Sequence, residues 1–255
     1  MASASASAVE WGDLFHAYGW AGDVPGRLAA LLGPDRDAAF DASVFVIRKL
    51  FAGGTLTPAT APAVRAVAQL VHESALGGGD ESVRDALLWF IGDIARVTTS
   101  TDIESLRKRA VEDGAAVDWA NEQLRDPDRA SVFDWRRQGL PGTALLDRAL
   151  VDCFDLLPEV FSAVWPVPAR WGRWLQVMAT AATVMLVRHP RLAGRRDEVI
   201  ARHEAAARAA ASRRECASYV LGLGETRCRT DGLPAGSPVG RAGLRGARSR
   251  ACSRR

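Results

Sequence analysis

Metal binding and nucleophilic catalysis need histidine, cysteine and carboxylates at particular spacings, so these residues set the first bounds. The four histidines, His16, His72, His189 and His203, never fall four apart on a helix, and no H-E-x-x-H run occurs. The four cysteines, Cys153, Cys216, Cys228 and Cys252, form no C-x-x-C pair. Cys153 and Cys216 fall on apolar helical faces and read as buried free thiols. With no secretory signal ahead of them, a reduced, cytoplasmic protein is expected. There is no G-x-x-x-x-G-K-[ST] phosphate loop and no G-x-S-x-G elbow, and Gly222-x-Gly224 is followed by Arg227 where a dinucleotide fingerprint requires glycine. Asp93 and Asp118 could face a groove, yet nothing distinguishes them from solvated carboxylates. The expectation is a non-enzymatic chain with no cofactor and no metal.

The polar and large aromatics are more suggestive. His16 and Tyr18 lie beside Trp11 and Trp20 near the amino end. Trp11, Phe15 and Tyr18, spaced four and three, would bury one stripe of a helix, with His16 on the other side. Trp171 and Trp174 stand three apart on a helix after Pro168, with Trp165 before the turn, and suit either a stacking platform or a core. Trp135 joins Trp119, Val132 and Phe133 on the apolar side of the middle of the chain. His16, Tyr18, Trp135, Trp171 and Trp174 are therefore the candidate interaction residues.

The elements that must position these residues are helical, since no alternating strand pattern persists. Helices are predicted over Val9–Tyr18, Arg27–Leu32 and Asp35–Phe51, the last with Phe40, Val44, Ile47 and Phe51 on one face. Thr57 is predicted to cap a helix starting at Pro58 and reaching about Ser74, followed by Glu81–Val97 after Gly77-Gly78-Gly79-Asp80. A charged helix over Asp102–Leu124, a turn at Asp126-Pro127, an apolar pair Leu145–Trp165 and Arg170–Val187, and Asp197–Ala211 complete the reading. The stretch Trp174–Val187 is shorter than the roughly 20 residues a bilayer requires and reads as a core helix, so no membrane association is expected. Val83-Arg84 followed by Leu87, Ile91 and Gly92 recurs as Arg213-Arg214 followed by Ala217, Leu221 and Gly222. This pattern, with about ten or eleven helices in hairpins of roughly 40 residues, points to an all-α superhelix: a HEAT-like solenoid of about five helical hairpins.

Phe15-His16-Ala17-Tyr18-Gly19 with Asp23-x-Pro25, then Gly54-Thr55 with Pro58-Ala59-Thr60-Ala61, resembles the amino-terminal part of HEAT-repeat, armadillo-type proteins common in actinobacteria. The likeness covers about Trp11–Val97 and again Arg213–Glu225. It implies a right-handed stack of helix pairs over residues 9–225 that binds a protein partner. HEAT-like folds also include alkylpurine DNA glycosylases and bilin lyases, so the resemblance leaves a nucleic-acid-binding or glycosylase-like alternative open.

Charge bears on that alternative. The net charge of +3 conceals an asymmetry, because Thr226–Arg255 holds eight arginines and one acid, which leaves the rest at −4. An acidic body lacks the basic stripe of a nucleic-acid binder, so nucleic acid is expected only through the tail. Met1–Ala8, alternating Ala and Ser, reads as a disordered leader. Residues 226–255 read either as a disordered Arg/Gly-rich arm or as the product of a frame shift after Glu225, since a shifted frame in GC-rich codons can restore a V-R-x-x-A motif.

Overall fold

The structure, a computed structural model, describes residues 9–110, 114–126 and 131–210. The leader, the second Arg-Arg motif, the tail and the cysteines beyond Cys153 lie outside the described residues. The chain divides into two compact units, residues 1–164 and 165–255.

The first unit opens with a 3-10 turn, Trp11–Asp13, and a hairpin of β1 (Phe15–His16) and β2 (Gly19–Trp20), antiparallel with Phe15 opposite Trp20. The helix expected over Val9–Tyr18 is thus replaced. A segment this short is a poor helix nucleus, and its backbone finds better partners elsewhere. Ala17 N–H donates to the Lys49 carbonyl (3.1 Å), and the Phe15 carbonyl accepts from Ala59 N–H (3.2 Å).

α1 (Val24–Ala30) and α2 (Arg36–Leu50) follow, and Asp35 caps α2 by accepting from the backbone N–H of Asp37 and Ala38. The buried stripe of α2 is Ala39, Ala42, Ser43, Val46 and Leu50, whereas Phe40, expected inside, is 49% exposed. Both stripes have a helical period; the smaller side chains won because they allow α2 to lie close against α1 and α4. α3 (Thr60–Leu70) starts later than expected and without a capping side chain; the Thr60 hydroxyl instead accepts from Thr57 N–H (2.9 Å) and donates to the Leu50 carbonyl (2.8 Å), tying the turn to the end of α2.

α4 (Glu81–Thr99) carries the Val83-Arg84 motif and gives it a physical meaning. Arg84 is buried and donates through Nε to the Val71 carbonyl and through its terminal nitrogen to the Glu73 carbonyl, both at 2.9 Å, closing the carboxyl end of α3. Val83 packs where Gly77 bends with φ +70°, and a Cβ there would stand 2.9 Å from Val83 Cβ. The charged helix predicted over Asp102–Leu124 is divided into α5 (Ile103–Arg109) and α6 (Gly114–Arg125). Asp102 caps the start of α5, three basic residues close its end, and Gly114 weakens any continuation.

α7 (Val132–Gln138) begins at the cap Ser131 and ends at Gly139 with φ +65°. α8 (Thr143–Val164) buries Leu146, Leu150, Leu157, Phe161 and Val164 and packs on α3, α4 and α5. A linear stack pairs helices adjacent in sequence, as α1 does with α2; the packing of α8 on helices far earlier in the chain follows another rule. Asp147 of α8, buried, accepts from Arg109 (3.3 Å) and Arg136 (2.7 Å), clasping α5 and α7. In the second unit α9 (Arg173–Leu186) packs on α10 (Arg196–Arg208). Among the described residues the protein is predominantly helical, and no helix is long and apolar enough to cross a membrane.

Candidate interaction groove

The hairpin loop places the first wall of a groove. Tyr18 N–H donates to His16 Nδ1 (3.1 Å), so the proton of the neutral imidazole sits on Nε2 and is donated to Asp23 (3.2 Å). His16 is 2% exposed and meets the Phe45 ring edge-on at 5.8 Å. Burial holds its imidazole below the ordinary histidine range, against the pull of the Asp23 carboxylate, and Lys49 adds to the lowering. The buried imidazole thereby fixes the loop that turns Tyr18 outward, where it is 59% exposed.

Tyr18 is met by residues from two other places. Lys49 Nζ lies 4.4 Å from its ring centroid, and Phe133 of α7 meets it edge-on at 5.8 Å. The turn after α2, with Gly53 and Gly54 at φ +58° and +82°, leaves a wall without side chains, and Phe51 at its head contacts Trp89 of α4 at 6.3 Å. Together these enclose a groove of about 740 Å³, with Arg48, Asp93 and Arg96 among its lining. Asp93 accepts from Arg96 Nε (2.9 Å), whereas Arg48 has no carboxylate partner among the described residues. Trp89 and Phe133 are 43% and 37% exposed, so three large aromatics face solvent around one concavity.

Three of the five candidate residues belong to the first unit and two to the second. Tyr18 lines the groove, and His16 lies behind it as support. Trp135 is fully buried, with its ring 5.3 Å from Phe15 and 5.1 Å from Trp119, and is core rather than contact surface. Gly142 allows that packing, since a Cβ there would fall 2.7 Å from the Trp119 ring. In the second unit Trp171 is buried and Trp174 is 46% exposed, while Arg202 lies 4.8 Å over the Trp165 ring. Asp93 does line the groove, but within an ion pair; Asp118 is exposed on α6. Cys153 is buried, and desolvation, followed by the neighbouring Asp152 charge, pushes its thiol far above the ordinary range, which leaves it a packing residue.

Sequence reasoning missed Trp89, Arg48 and Phe51. Trp89 stands outside the Leu87, Ile91 and Ile94 stripe of α4, and that out-of-phase aromatic was the available signal. Nothing local in the sequence brings it beside Tyr18. No known family model, curated protein or solved structure matches the chain.

Proposed function

We propose that this protein is a non-enzymatic, cytoplasmic protein-interaction scaffold of HEAT type, with the aromatic groove of the first unit as its contact surface. The observation that carries the reading is the grouping of Tyr18, Trp89 and Phe133, each more than a third exposed, around one concavity. Aromatic side chains that contribute large contact area with few rotatable bonds are the usual energetic centres of protein interfaces. The Val83-Arg84 motif, with its arginine closing the preceding helix, supports the HEAT-type hairpin. The place of α8 marks a departure from a uniform repeat array.

The test is capture of partners from a lysate of the source cells on immobilised full chain, with nuclease and with a Trp89→Ala control. A stoichiometric, nuclease-resistant protein absent from the control is the expected result. Recovery that nuclease abolishes, or that the control retains in full, overturns the reading.

A further inference from the structure

The charges around the groove distinguish among classes of protein partner, and the inference rests on the scaffold reading. Asp93 is neutralised by Arg96 at 2.9 Å, whereas Arg48 and Lys49 have no carboxylate partner among the described residues. Arg48 lines the groove, and Lys49, outside that lining, is held over the ring of Tyr18, which does line it. The surface is therefore an aromatic bed with one uncompensated cation in its lining and a second beside Tyr18. A ligand complementary to it carries apolar side chains for the bed and anionic groups for the cations.

We propose that the groove receives an extended, acidic peptide segment of a partner protein. A hydrophobic side chain of that segment seats among Tyr18, Trp89 and Phe133, and its neighbouring carboxylates pair with Arg48 and Lys49. Single-stranded nucleic acid also stacks on aromatics, but it requires a cationic track along its backbone. Arg48 and Lys49 neutralise about two phosphates, which supplies no continuous track.

The experiment titrates the full chain into three fluorescein-labelled probes by anisotropy: a peptide alternating glutamate with phenylalanine and leucine, its lysine-for-glutamate counterpart, and oligothymidylate of similar length. Selective binding of the acidic peptide is expected. Arg48→Glu and Trp89→Ala should each weaken it by about tenfold or more, while their thermal unfolding stays near that of the parent because both side chains are exposed. Equal binding of both peptides, lost in Trp89→Ala, overturns the acidic preference and leaves the scaffold reading intact. Oligothymidylate binding that Arg48→Glu abolishes replaces the peptide with nucleic acid and overturns both, as does failure of every probe to bind.

Discussion

At the scale of single residues, two buried positions carry more than their size suggests. Gly142 lies against Trp135 and Trp119 with no room for a methyl group, and indole rings in a packed core do not swing aside. Gly142→Ala should cost about 1–3 kcal/mol of stability by overpacking, read as a lower denaturant midpoint at unchanged slope. A midpoint equal to the parent's would mean the rings are loosely held. Arg84 supplies its charge to the Val71 and Glu73 carbonyls just past the end of α3, from a site 8% exposed. Replacing it by methionine keeps the stem but orphans those acceptors, and should cost about 1–3 kcal/mol, with lysine recovering part of the loss. The sequence displayed this arginine through its repeated motif, so the residue was legible although its task was not. Trp135 was legible as apolar but not as inaccessible, because burial depends on Phe15, Trp119 and Leu146 converging from remote places.

Among the elements, the β1–β2 hairpin couples protonation to structure. Its loop is closed by His16 Nδ1 accepting from Tyr18 N–H, with Asp23 on the far nitrogen, Lys49 nearby and Phe45 against the ring. Because the folded imidazole titrates below its ordinary pKa near 6.5, the unfolded chain binds the extra proton first on acidification. The stabilisation is complete above about pH 6.5 and declines as pH falls from there towards the folded value. Comparing melting temperature against pH for the parent and His16→Asn should show a steeper fall below that point in the parent; parallel curves would remove His16 from the effect. α8 joins two other helices through the Asp147 clasp on Arg109 and Arg136. Asp147→Ala should destabilise by about 2 kcal/mol, less than for a fully enclosed pair because both guanidinium groups reach solvent. Most helices were legible from their caps and glycines. The hairpin was not, because part of its backbone hydrogen bonding goes to Lys49 and Ala59, far along the chain.

For the whole molecule, the packing of α8 on α3, α4 and α5 makes the first unit depend on contacts between distant parts of the chain. In a linear repeat array, damage to one hairpin leaves remote hairpins folded. Here Leu157→Ala, which opens a cavity in α8 and should cost about 2–5 kcal/mol, is expected to speed amide hydrogen exchange in α1 and α2 together with α8. Exchange confined to α8 and its immediate neighbours would instead indicate repeat-like independence. The all-helical class was legible in the sequence because period and capping are local properties. The order of packing was not, because no local pattern says which helix α8 should cover. The groove shares this dependence: its loop tyrosine, arginine, tryptophan and phenylalanine come from four separate stretches of chain and meet only once the unit has folded. Whatever occupies it selects the folded form over the unfolded one and stabilises it by mass action, about 2.7 kcal/mol at a hundredfold excess over the dissociation constant. Under the proposed scaffold role, abundance of the folded protein in a cell should therefore follow the supply of whatever fills the groove, so that the protein would gauge its occupant as well as hold it.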